Sequence, residues 1–405
     1  MAEQGMRVPG RHSLLHAAAS SLDLGEQNPP EHVAGSPRRR QLLGAAAVAA
    51  LGGLVAPVRK ATAAEAAKPS KLAFPRDFGA HLDFKTEWWY LTGWANQPGA
   101  NAAYGFQITF FRSRADAAQG MQSRLAARQL LFAHAAITDV QGKRLWHDQR
   151  LARWSGEAPG QNPMDTASAS TQDTGVLLRD WSLLREGADL LAKVQADGFA
   201  LDLRFASTQP LLLQGQQGLS RKGADASQTS YYYSLPQLQV SGSLTLQGKA
   251  LTLASGSTAW LDHEWSQEML QGGAVGWDWL GINLFDGSAL TAFRLRDKGG
   301  EAIWDGGSFR AGQSLYTFSH GEVEFKALRH WRSPASRANY PVEWMVRTPA
   351  DFYSVKAVLD NQELDSSHST GAIYWEGLCE VWDSNGKKVG RGYLEMTGYA
   401  APLRM

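Results

Sequence analysis

Gly79-Ala-His81-Leu-Asp83-Phe-Lys-Thr-Glu87-Trp88-Trp89-Tyr90-Leu-Thr-Gly93-Trp94 sets ionisable side chains directly beside bulky aromatic ones. After a polar break it continues as Tyr104-Gly-Phe-Gln-Ile-Thr-Phe-Phe-Arg112. Aromatic and β-branched runs separated by Gly, Asn and Gln read as strands joined by turns. A second stretch of the same kind follows much later: Trp260-Leu-Asp262-His263-Glu264-Trp265, then Gly276-Trp277-Asp278-Trp279-Leu-Gly281 and Leu290-Thr-Ala-Phe-Arg294-Leu-Arg296. Two occurrences in one chain point to two related β units.

Residues two apart on a strand share a face. Trp260, Asp262 and Glu264 therefore lie on one side, and Leu261, His263 and Trp265 on the other. Two carboxylates on one buried face repel, which raises at least one pKa toward the range of a general acid. Each of them alone is as well explained by capping a turn or pairing with Arg. In the first motif Glu87 shares a face with Trp89, and Trp88 with Tyr90, so that strand is expected to be covered on both sides. His81, Asp83 and Glu87 have a spacing that matches no tight ligand pattern, and no metal site or cofactor is expected from them. Asp278 lines up with Leu280, Ile282 and Leu284, so it must pair or hold a proton if that face is buried. Its alternative is a salt bridge to Arg294 or Arg296 on the following strand.

The same alternation recurs over 130–138, 189–195, 200–205, 237–246, 251–255, 342–348, 352–359, 372–382 and 392–399. Asp286-Gly287 and Asn385-Gly386 are hairpin turns, because both pairs tolerate positive φ. The best helical candidate is Ala115–Leu131. The reading is all-β, with antiparallel strands that close barrels or pack as sandwiches. A polar Gly- and Ser-rich segment over 214–229 suggests a boundary near 240, giving an N-terminal unit at 68–240 and a C-terminal unit at 241–405.

The 40 basic and 39 acidic residues leave a formal net charge of +1, which offers nothing to phosphate backbones, so a nucleic-acid partner is not expected. Cys379 is the single cysteine, so intrachain disulfides and multi-thiolate metal sites are excluded. Fifteen tryptophans, concentrated in the motifs, supply flat apolar surface with a polar handle. No nucleophile elbow, phosphate loop or dinucleotide fingerprint is present. Residues 1–67 read as an export segment and linker: Arg39-Arg40-Gln41-Leu42-Leu43 fits a twin-arginine signal, an apolar run follows, and small residues surround Ala61–Ala64. The run is short and mildly hydrophobic for a membrane span. A periplasmic or secreted protein is expected, with the twin-arginine translocase as a transient partner and no stable span in the mature form.

The ordered motifs His81-x-Asp83-x-x-x-Glu87-Trp-Trp-Tyr-x-x-Gly93, Tyr104–Arg112, Ala259-Trp-Leu-Asp262-His-Glu264-Trp-Ser, Gly276-Trp-Asp-Trp279, Tyr374-Trp-Glu376-Gly377 and Gly392-Tyr-Leu-Glu395-Met-Thr-Gly398-Tyr399 resemble the carotenoid 1,2-hydratase and AttH-like family, including its secreted-hydrolase branch. The resemblance spans nearly the whole chain after the export segment. It implies two lipocalin-like β-barrel domains and a hydrophobic small-molecule ligand of terpenoid, polyene or lipid-like character. Hydratases of this kind add water across a carbon–carbon double bond, which needs an acid, a π-rich wall and a base. By that resemblance Asp262, His263, Glu264 and Asp278 are the candidate proton-transfer groups. Trp260, Trp265, Trp277, Trp279, Asn283, Trp89 and Tyr90 are candidate substrate-binding residues, with His81, Asp83, Glu87 and Glu376 as further site or structural positions. A non-catalytic carrier, in which the carboxylates only seal barrel ends, and a cyclase-type enzyme that folds its substrate are the alternatives.

Overall fold

Alternation of inward and outward side chains governs the chain from Thr86 onward, and the result is two antiparallel sheets. The computed structural model describes residues 71–403 apart from 269, 271 and 272. The twin-arginine pattern, the apolar run and the linker lie outside the described residues. Both sheets fall within one compact unit. Among the described residues there is no α-helix, only two short 3-10 turns at Arg76–Phe78 and Asp116–Ala118, and hence no helix long and apolar enough to cross a membrane.

The first sheet runs in the spatial order Arg144–Trp154, Gln129–Asp139, Ala100–Arg114, Thr86–Gln97, Ala254–Ser266, Thr229–Leu246, Phe199–Ala206, Asp189–Gln195, Trp181–Glu186, Gly175–Leu178 and Ala167–Ala169. Its two outer strands approach one another, so the sheet nearly closes into a barrel. The second runs Ser314–Phe318, Ala302–Ala311, Ala289–Arg296, Gly276–Leu284, Lys388–Met396, Ala372–Trp382, Phe352–Ala357, Asn339–Arg347 and Glu324–Arg332. The all-β reading with two lipocalin-like sheets holds. Asp286-Gly287 and Asn385-Gly386 make the expected hairpin turns, each with its glycine at positive φ.

The change of sheet does not coincide with a division at residue 240. It falls after Ser266, because the strand Ala254–Ser266 inserts between Thr86–Gln97 and Thr229–Leu246 and completes the first sheet. The expected helix over Ala115–Leu131 is not formed. After the 3-10 turn the segment is an exposed loop tied by Arg128 to the Met121 carbonyl, and from Gln129 it is strand. Only Ala118 and Ala126 are buried between Ala115 and Arg128, so a helix there would have no apolar face to pack.

Each sheet has its own core. Trp89, Phe106, Phe110, Trp154, Trp181 and Phe205 lie in the first, and Tyr340, Trp344, Val355, Trp375 and Leu394 in the second. A third cluster joins them: Tyr90, Trp94 and Trp260 from the first sheet pack with Trp279, Phe293, Leu378 and Tyr393 from the second. Polar cross-links reinforce the junction, including Asn283 Nδ2 to the Ala259 carbonyl at 3.0 Å and Thr138 Oγ1 to Gln362 Oε1 at 2.9 Å.

Candidate active site between the two sheets

The two aromatic–carboxylate motifs are hydrogen-bonded neighbours. Thr86–Gln97 pairs antiparallel with Ala254–Ser266 so that Trp89 lies opposite His263 and Tyr90 opposite Asp262. Opposed residues on a sheet project to one side, which sorts both motifs onto two faces of a single ribbon. Glu87, Trp89, His263 and Trp265 point into the first barrel. Trp88, Tyr90, Asp262 and Glu264 point toward the second sheet and line a cavity there.

Inside the barrel a satisfied ionic network forms. Glu87 Oε1 accepts from His81 Nδ1 at 2.7 Å and His263 Nε2 at 2.9 Å, and Oε2 accepts from Arg112 Nε at 2.7 Å. Burial alone would raise the Glu87 pKa, but Arg112 and the two histidine bonds hold it well below the carboxylate range. Burial lowers His263 to about 4, so the ring is neutral and accepts from the Tyr233 hydroxyl at 3.0 Å. His81 stacks on Trp265 with centroids 3.7 Å apart, and Trp89 on His263 at 4.6 Å. The donor atoms of His81, Glu87 and His263 lie within 4.8 Å of one another, but Arg112 already occupies the carboxylate and repels a cation. Asp83 is exposed, and its carbonyl accepts from Gln267 Nε2 at 3.1 Å. None of these residues lines the cavity between the sheets.

That cavity is small, about 70 Å³, and partly open to solvent. Asp262 and Glu264 enter it from the first sheet, and Glu376 and Glu395, cross-strand partners in the second, enter from the opposite wall. Trp88, Tyr90, Trp277 and Trp279 complete much of the lining. Asp262 Oδ1 accepts from Ser234 Oγ at 2.5 Å and Trp260 Nε1 at 2.7 Å; Oδ2 accepts from the Tyr232 hydroxyl at 2.7 Å, which in turn accepts from Trp279 Nε1 at 3.1 Å. Burial outweighs these three donors and lifts Asp262 to about 7. Glu395 is lifted to about 8 by burial, against a hydrogen bond from Trp277 and with Asp262 and Glu264 adding to the rise. Glu376 is raised well above the carboxylate range by burial and by Glu395 beside it. Glu264 instead accepts from Ser230 and pairs with Lys222 Nζ at 2.9 Å, both side chains being buried.

Of the remaining candidates, Asp278 does not reach the cavity. It sits in the second sheet, fully buried, with Arg294 Nε at 2.7 Å, Arg296 Nε at 2.9 Å and the Tyr399 hydroxyl at 2.9 Å. Asn283 is likewise spent on the sheet junction, accepting from the Gln237 backbone at 2.8 Å. Lys222, Tyr232, Tyr374 and Glu395 escaped sequence reasoning as site residues. Lys222 lies in the segment taken as a polar loop, and no local pattern marks it. Glu395 was legible: Glu376 and Glu395 stand at equal distances from the Asn385-Gly386 turn, which places them on one rung of the hairpin.

A wider cleft adjoins the cavity, sharing Trp88, Phe111, Trp277, Tyr374 and Glu395 with it and continuing past Phe132 and Ala372. His134 stands in this cleft with its ring nitrogens 2.8 Å from the Tyr374 hydroxyl and 2.8 Å from Ser369 Oγ. Burial takes His134 down to about 3, so it is neutral.

The AttH-like family model matches residues 65–399. Among solved structures, a candidate AttH from Nitrosomonas europaea is similar at 42% identity, with 82% of this chain and 98% of that one covered and a TM-score of 0.73. Kievitone hydratase from Nectria haematococca is similar at 14% identity over 82% of this chain and 94% of its own, with a TM-score of 0.61, a likeness of fold. A search of curated proteins found no match.

Proposed function

Because this chain belongs to the AttH-like family, we propose that the chamber between its sheets is an acid–base active site acting on a hydrophobic, unsaturated small molecule. The observation that carries this reading is the convergence of Asp262, Glu376 and Glu395 on one aromatic-walled cavity, with their pKa values raised. Carboxyl groups that titrate near neutrality are suited to give and take protons. Hydration is the reaction the set fits. A protonated Glu395 or Glu376 donates its proton to one alkene carbon, the π electrons forming the new C–H bond and leaving a carbocation at the other carbon. Trp88, Trp277 and Trp279 offer π faces to that cation. Water attacks it, and Asp262 takes the proton that the water oxygen loses. Exchange of that proton back to the glutamate pair through solvent completes the addition of one water. Lys222 lies 2.9 Å from Glu264 and so occupies the second carboxylate of the Asp262 face.

A terpenoid or polyene substrate is the class this reading assigns, supported by the adjoining cleft walled by Phe111, Phe132 and Ala372. The test is incorporation of oxygen from labelled water into such substrates. Asp262→Asn and Glu395→Gln are each expected to lower turnover by about 10²–10⁴-fold with folding retained; full turnover in both rules the assignment out. A carrier would bind the same molecules and return them unchanged.

Export to the periplasm is part of the same proposal, supported by Arg39-Arg40 and the apolar run after them. Replacing both arginines by lysine should leave the protein in the cytoplasm, as read by cell fractionation. Unimpaired export of that variant would remove the twin-arginine route.

A further inference from the structure

We propose that the same chamber is a receptor for the cationic head of an amphiphile, an alkyl or isoprenoid ammonium, whose tail lies in the adjoining cleft. The inference rests on the chamber assigned above but not on its turnover. It starts from a charge imbalance. Asp262, Glu264, Glu376 and Glu395 line the cavity, and Lys222 is the only cationic side chain among its described lining residues. Lys222 lies 2.9 Å from Glu264, so that pair neutralises itself. Three buried carboxyls remain with no positive partner.

A second observation points to a missing guest. The Tyr90 hydroxyl and Glu376 are both buried, both line the cavity and face one another, yet the hydroxyl and Glu376 Oε1 complete no hydrogen bond of normal geometry. Buried polar atoms are ordinarily satisfied, and exceptions at a cavity wall mark where a ligand completes the set. The wall is also of the right kind. Lys222 Nζ sits 4.1 Å from the centroid of Phe293 and 5.0 Å from that of Tyr232, so one ammonium is already held against aromatic rings here. Trp88, Tyr90, Trp277 and Trp279 extend that surface around the unpaired carboxyls. An organic cation is matched by exactly the combination of π faces and carboxylates. The cleft beyond Trp277 and Tyr374, walled by Phe111, Phe132 and Ala372, gives an apolar tail its place; His134 there is neutral, and Arg112 is paired with Glu87 at 2.7 Å.

Proton linkage makes the inference testable. The groups facing the Glu376–Glu395 pair are Asp262 and Glu264 on one strand, with Tyr232 bonded to Asp262 from the next, Tyr90 on the other flanking strand, Lys222 from the loop, Tyr393 beside Glu376, and Tyr374 with His134 behind it. With Asp262 and Glu395 titrating at about 7 and about 8, a bound ammonium must displace protons. Calorimetry would use decylammonium, whose N–H groups can donate to the open carboxyls, with decyl maltoside and decyl sulfate as neutral and anionic comparators. The cation is expected to bind about tenfold tighter than the neutral amphiphile, to tighten between about pH 6 and about pH 9, and to release protons to the buffer. Glu376→Gln and Glu395→Gln, which mimic the protonated acids, should each weaken the cation about tenfold relative to decyl maltoside; a melting curve confirms folding, and Trp277→Leu tests the π wall separately. Equal affinity for cation and neutral amphiphile, or a cation affinity flat with pH, overturns the inference. Water addition measured without ammonium binding would sink this inference alone, and ammonium binding without water addition would sink the acid–base reading alone.

Discussion

Asp262 and Asp278 are the same side chain at nearly the same burial, and their surroundings give them opposite chemistry. Asp278 faces two guanidinium groups and a tyrosine hydroxyl, all within 2.9 Å. Asp262 has three neutral donors and a neighbouring carboxylate, so burial prevails and its proton is held to about 7. The first is a structural ion cluster, the second a group poised for proton transfer. Asp278→Asn should therefore cost about 3 kcal/mol or more, because it leaves buried arginine charge uncompensated; urea denaturation of the variant against the parent checks this. A loss below about 1 kcal/mol would mean that Arg294 and Arg296 find other partners. The sequence offered both readings for Asp278. Only the register of Gly276–Leu284 with Ala289–Arg296, which sets Asp278 opposite Arg294, chose between them.

At the scale of elements, the pairing of Thr86–Gln97 with Ala254–Ser266 is the decisive contact. Period-two alternation placed each side chain correctly on its own strand, since the peptide geometry forces it. What alternation lacks is the identity of the neighbour. The two motifs, far apart in sequence, share one ribbon, and its faces separate a charged network in the barrel from the acid chamber between the sheets. Gly93 marks how closely the ribbon is packed: a Cβ there would stand 2.5 Å from the Thr258 carbonyl oxygen and 2.6 Å from the Phe106 ring. Gly93→Ala is expected to destabilise by about 1–3 kcal/mol through overpacking, seen as a lowered melting temperature. No change would show that the two strands can part without cost. The helix expected at Ala115–Leu131 failed for the complementary reason: local propensity was adequate, but no surface was offered for it to cover.

The whole molecule carries two opposed sets of buried titrating groups. Asp262, Glu376 and Glu395 have raised values, so the fold keeps protons that the unfolded chain has released. Their contribution is present at low pH and is lost as pH rises through the folded values. His134 and His263 have lowered values, from burial. For them the unfolded chain takes up protons that the fold refuses, and stability is lost as pH falls below the ordinary histidine value. Between about pH 4.5 and about pH 6.5 the two sets offset one another; above that only the carboxyls act, so stability should decline toward about pH 8. Urea midpoints across pH measure this, and Glu395→Gln should flatten the decline. A midpoint that climbs between about pH 6.5 and about pH 8 contradicts the carboxyl assignment.

Taken by itself, the sequence determined the all-β class, the hairpin turns, the face on which each motif residue lies and the family, because these follow from side-chain period, turn chemistry and motif order. Glu376 and Glu395 as one rung were also within its reach, since a tight turn fixes the register around it. The tertiary structure alone decided that Ala254–Ser266 completes the first sheet, that Lys222 folds in from a loop to neutralise Glu264, and that carboxyls from both sheets meet in one cavity. Those are long-range pairings, and a pattern that repeats every two residues carries no information about which distant strand a face will meet.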